Sequence, residues 1–185
     1  AVTMPSISDM GSTEFSCGRC DFTYVGDFRF YSQILKDAYA NNTEVMADGI
    51  DISMYNYKVD ANGDFISLNW DAIKNAGIEY AIIKAGSSFR ENGTLGGIEP
   101  TFEKSYTDAK AAGMDVGVYF YTYATSVDEI AIDAYLLLSI LDGKQFEYPI
   151  YLDIENQEDE EYYPSEIAPP ILTEMCLEFF STLQR

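Results

Sequence analysis

Asp153 and Glu155 close an apolar, β-prone run, Tyr148-Pro149-Ile150-Tyr151-Leu152. Side chains on a strand alternate between faces, so two carboxyl groups two positions apart project together, one pleat repeat apart. Such a pair is what hydrolysis of a glycosidic bond asks for. One acid is held protonated and donates to the leaving oxygen; the other stays charged, stabilising the positive sugar ring or positioning a water. The chain has 31 acidic residues, so a solvated strand end carrying two of them is the plainer alternative. The surrounding pattern has to decide.

The elements that must hold the pair begin at Gly49. Residues 49–53, Gly-Ile-Asp-Ile-Ser, predict a short strand carrying Asp51. A helix over 69–76, closed by Gly77, leads to a second strand over 80–84 that ends in Lys84, then a Gly-rich loop over 86–97. The next helix, over 100–112, has Pro100 near its first turn, where a missing N–H costs nothing. It stops at Gly113, which suits a left-handed cap. A third strand over 116–121, a helix over 127–141, a fourth strand over 149–153 and a helix over 170–183 complete the pattern. Strands apolar on both faces that alternate with helices predict a parallel sheet with helical crossovers, here four β-α units. Ligands of such sheets sit where strands meet their following loops, in a barrel or in an open doubly wound sheet alike. Asp51, Lys84, Tyr121, Asp153 and Glu155 all fall at or near such ends. No G-x-G-x-x-G follows the first strand, which argues against a dinucleotide site. Residues 1–48 lack clean periodicity and read as an N-terminal extension with one short helix over 28–39; residues 49–185 form the main domain.

Composition excludes whole classes of function. There is no histidine, which removes Ser-His-Asp and Cys-His nucleophiles, HExxH metalloproteases and imidazole proton shuttles together. The balance of 11 basic against 31 acidic residues gives a net charge of −20. Nucleic acid and anionic membranes would both be repelled. Cys17 and Cys20 have C-x-x-C spacing, but no second pair or histidine completes a zinc site. They read as a local disulfide or two free thiols, and Cys176 as a core residue. No metal and no cofactor are expected. No run approaches the ~18 apolar residues that a membrane span needs. The chain opens at Ala1, which fits a mature secreted protein or a trimmed one.

Four segments in register carry a resemblance: GIDIS at 49–53, NWDAIKNAGIEYAIIKAG at 69–86, the run F-x-x-x-x-x-x-A-K-A-A-G-M-D-V-G-V-Y from Phe102 to Tyr119, and YPIYLDIEN at 148–156. Together they resemble glycoside hydrolase family 25, the lysozymes (N-acetylmuramidases) that cut peptidoglycan between N-acetylmuramic acid and N-acetylglucosamine. The resemblance implies a (β/α) barrel of that family's type, incomplete here at about four β-α units. It further implies a secreted or cell-wall-associated peptidoglycan hydrolase acting by carboxylate general acid catalysis. Glu155 then matches the general acid, Asp153 the partner that orients or stabilises the reacting centre, and Asp51 the acid lining the same pocket. Tyr119 matches an aromatic at the floor of the groove, and Trp70 a packing residue of the first helix. Tyr121 reads as cleft wall. Lys84 either pairs structurally with Asp51 or Asp153 or takes part in binding. Family members usually carry Asp where this chain has Glu99, on the substrate-facing side. The family barrel also closes with further strands, one contributing another Asp. The chain therefore reads as a first half, whose partner is the missing C-terminal half or a second copy. Its alternative is a glycan-binding half-barrel that keeps the groove without the catalysis.

Overall fold

The computed structural model describes residues 12–16, 23–27, 47–89, 96–156 and 166–184. In the N-terminal part, β1 (Ser12–Ser16) pairs antiparallel with β2 (Thr23–Asp27), Ser12 opposite Asp27. Polar residues obscure the alternation there, so the sequence reading of this region as aperiodic misses both strands. The helix expected over 28–39 and the Cys17/Cys20 pair lie outside the described residues.

The main sheet contains β3 (Gly49–Ile52), β4 (Tyr80–Ser87), β5 (Gly97–Ile98), β6 (Asp115–Tyr121) and β7 (Ile150–Asp153). Four of these run parallel in the spatial order β3-β4-β6-β7. The crossovers hold α1 (Trp70–Asn75), α2 (Phe102–Ala111) and α3 (Val127–Leu141), and α4 (Pro169–Leu183) follows β7. The expected mixed α/β architecture with four β-α units is therefore present.

Register divides the sheet into two unlike faces. In parallel pairs, facing residues point the same way. Asp51 lies beside Ile82, Ile82 beside Gly117, Lys84 beside Tyr119, Tyr119 beside Tyr151, and Tyr121 beside Asp153. The opposite face presents Ile52, Ala81, Ile83, Val116, Val118 and Phe120, all essentially without solvent exposure. These pack in one core with Ile73 of α1, Phe102 and Ala109 of α2, Ile130 and Leu137 of α3, and Met175 and Phe179 of α4. Each fully buried side chain of that size contributes about 1.5–3 kcal/mol, so a slip by one residue is forbidden. All four helices thus cover the same side, as in the wall of a (β/α) barrel. A doubly wound sheet would divide them between two faces.

Local chemistry sets the element ends. Asn69 Oδ1 accepts from Ala72 N to cap α1, and Ser126 Oγ accepts from Glu129 N to cap α3. Lys74 Nζ donates to the carbonyls of Ala112 and Gly113, neutralising the end of α2. The stretch read from sequence as a loop from Gly86 is instead partly sheet. Glycines inside a strand read as breaks, but here Gly86 lies opposite Ile98 on β5. A Cβ on Gly86 would stand 2.4 Å from the carbonyl oxygen of Gly97, so only glycine allows β5 to return onto β4. That return delivers Glu99 to the C-terminal end of the sheet. Gly86→Ala is expected to lower the unfolding free energy by about 1–3 kcal/mol in urea denaturation. Unchanged stability would show that the two strands do not approach so closely.

Candidate active site

The face left open by the helices carries the polar and aromatic side chains. Asp51 is the third residue of β3, Lys84 the fifth of β4, Tyr119 and Tyr121 lie in the last turn of pleat of β6, and Asp153 ends β7. Glu155 sits two residues beyond the strand, where its side chain is exposed while Asp153 is half-buried. The Asp153 carboxyl nonetheless makes a hydrogen bond with the Glu155 side chain, which favours the protonated form of Asp153.

Electrostatics favour the protonated form of Asp153. Burial pushes the Asp153 carboxyl up to about 6, and the neighbouring charge and hydrogen bond of Glu155 and the charge of Asp51 push the same way, while Lys84 opposes them. Desolvation acts on Asp153, which is half-buried at the end of β7.

The remaining members tighten the cluster. Burial raises the Tyr119 hydroxyl well above its ordinary range, reinforced by Asp51, Asp153 and Glu99, against a hydrogen bond with Ser53. Lys84 Nζ stands 5.0 Å from the centre of the Tyr121 ring, a cation–π contact, and its charge acts on both Asp153 and Glu99. Glu99 is only 6% exposed, and its Oε1 accepts from Met54 N at 2.6 Å. Burial raises its carboxyl, with Met54 and Lys84 pulling it back down. Glu99 is thus beneath the cluster, tying the segment after β3 to the segment after β5. Tyr121 is buried against Tyr123, with ring centres 4.9 Å apart. Among the described residues, no three Asp, Glu, Cys or His side chains converge as metal ligands.

Asp51, Lys84, Glu99, Tyr119, Tyr121, Asp153 and Glu155 are therefore brought together at one end of the sheet. Trp70 is buried in the core, as a packing residue should be. Cys176, read as core, is a free thiol only half-buried on α4. Sequence reasoning missed Ser53 and a buried group behind the site, Ser88, Thr122 and Asp133. Asp133 had a legible signal: it lies three residues after Ile130 and four before Leu137, on the apolar stripe of α3, where an acid needs partners.

The family model for glycosyl hydrolases family 25 matches residues 50–180. Solved structures share the fold. The modular autolysin LytC from Streptococcus pneumoniae superposes with a TM-score of 0.59 at 22% identity, over 75% of this chain and 30% of its own; it has also been solved with a synthetic peptidoglycan ligand. A family 25 glycosyl hydrolase from Bacillus anthracis gives 0.54 at 18% identity, over 77% of this chain and 57% of its own. A lysozyme from Streptomyces coelicolor gives 0.55 at 20% identity, over 76% of this chain and 58% of its own. The chain thus spans less than two thirds of the length of each. No significant match was found among curated protein sequences.

Removing the lysine charge tests the electrostatics. Lys84 lowers the Asp153 carboxyl, so Lys84→Met should move its titration up by roughly 0.5–1 pH unit, followed by carbon-detected NMR. A midpoint that stays put, or falls, would separate Lys84 from the cluster.

Proposed function

The chain belongs to family 25 of the glycosyl hydrolases, and on that premise we propose that it hydrolyses the β-1,4 bond between N-acetylmuramic acid and N-acetylglucosamine in peptidoglycan. The observation that carries this reading is the Asp153–Glu155 hydrogen bond at the end of the open sheet face, with Asp51 acting on the same pair. The place of action is the cell wall, outside the membrane. Among the described residues no helix is long and apolar enough to cross one.

In this reading Glu155 is the general acid. It is the exposed member of the pair, so a glycan strand laid along the open face reaches it first. The sugar displaces water from Glu155 and raises the cost of its charge, which draws the proton of Asp153 towards it. Glu155 then donates to the glycosidic oxygen as the bond to the anomeric carbon breaks. Asp153, now charged, and Asp51 stabilise the positive charge spreading over the ring. Either the sugar's own acetamido oxygen or a water closes on the anomeric carbon, and Glu155, left as carboxylate, takes the proton from the incoming water. Tyr119 and Tyr151, on the same face, offer flat surface to the sugar rings; Tyr151 is 45% exposed. Lys84 limits the repulsion among the acids, lowering the carboxyls of Asp153 and Glu99.

The sign of the pH dependence follows from the pair. The proton of Asp153 is present below about 6 and lost above it, so kcat/KM on purified cell walls should fall as pH rises through that range. Glu155→Gln should reduce kcat by about 100-fold or more while leaving sedimentation with peptidoglycan intact. A fully active Glu155→Gln ends this assignment of the acid. Binding without release of reducing ends at any pH would mark a glycan-binding module instead.

A further inference from the structure

Behind the reacting face, three polar side chains are buried together where the helix layer meets the strand ends. Asp133 of α3 is 4% exposed, Ser88 5% and Thr122 0%. Ser88 is the first residue after β4 and Thr122 the first after β6. Both hydroxyls converge on one oxygen: Ser88 Oγ donates to Asp133 Oδ2 at 2.5 Å and Thr122 Oγ1 donates to it at 2.7 Å. Their lone pairs are engaged as well. Tyr123 N donates to Ser88 Oγ at 2.7 Å, and Ala124 N donates to Thr122 Oγ1 at 3.0 Å. The backbone closes the assembly, with Ser88 N donating to the Tyr121 carbonyl and Thr122 N to the Asp153 carbonyl, at 3.0 and 3.1 Å.

An acid on the apolar stripe of a helix is expensive to bury, and simple packing would be served better by Leu or Ala. What the acid does here is specific. It joins the ends of two strands that have no following ladder to hold them, and Thr122 passes the constraint directly to the backbone of Asp153. Tyr121, whose ring receives Lys84, and Tyr123 bracket Thr122. We propose that Asp133 is a positioning residue for the reaction: through Ser88 and Thr122 it fixes the ends of β4, β6 and β7 so that Asp153 stays in contact with Glu155 and Lys84. This rests on the reading of Asp153 as a member of the reacting pair. Burial also raises the Asp133 carboxyl to about 6, against the pull of the two hydroxyls and with the charge of Glu129 adding to the rise.

The test uses a readout that a general loss of stability would not move, the titration of the Asp153 carboxyl carbon, which faces Glu155, Asp51, Lys84 and Tyr119. Thr122→Val keeps the shape but removes the hydroxyl. Released from the tether, Asp153 gains water and should titrate lower than in the parent by about one pH unit. Thr122→Ser, which restores the hydroxyl, should bring it back. Ser88→Ala should move it in the same direction as Thr122→Val, and it carries the test should Thr122→Val fail to fold. A parent that titrates near 6, with variants that do the same, overturns the positioning role and leaves the site reading intact. A parent in which Asp153 titrates in the ordinary carboxylate range overturns the site reading, and this inference with it.

Discussion

Mutual repulsion among carboxyl groups is the constraint around which this protein is arranged. Asp51, Glu99, Asp153 and Glu155 are gathered at one end of one sheet face in a chain already carrying a net charge of −20. Left to solvent, four such groups would separate. They are held by strands whose other face is committed to an apolar core and cannot slip by a residue without burying charge. The repulsion is relieved in two ways. Lys84 sits among the acids with its ammonium over Tyr121, and burial pushes the Asp153 carboxyl up to about 6, so it keeps its proton to a higher pH than a solvated carboxylate would.

The division of labour between the two faces explains why stability and chemistry do not compete here. Helices α1 to α4 bury one set of alternating residues, so the opposite set is free of packing duty and can be acidic or aromatic. Buried acids add polar ties to the apolar core that joins helices and sheet. Glu99 links the segment after β3 to that after β5, and Asp133 links α3 to the ends of β4 and β6. Each is a buried acid with backbone or hydroxyl partners, placed where a strand has just ended and its ladder no longer restrains it.

Much of this was legible in the residues. Binary patterning located the four parallel strands and the four α-helices described from Gly49 onward, because burial on one or both faces writes directly into the order of apolar residues. It also brought Asp51, Asp153 and Glu155 to a common end, since parallel β-α units put strand C-termini together. What sequence could not supply was environment. Spacing alone gives Asp153 and Glu155 equal standing; only the point at which β7 ends makes one half-buried and the other exposed. Glycines at 86 and 97 looked like loop because glycine has no side chain to show which face it occupies, although their lack of a Cβ is what permits β5. Ser88 and Thr122 left no pattern, as small hydroxyl residues after a strand are equally suited to solvent.

The proposed role of this charge cluster is to protonate one kind of glycosidic oxygen. The most direct measurement is the identity of the sugar at each new chain end after the protein has digested purified peptidoglycan, read by borohydride reduction and mass spectrometry. N-acetylmuramic acid at the reducing ends is the expected product. New ends carrying N-acetylglucosamine, or peptide cleavage with intact glycan strands, would contradict it.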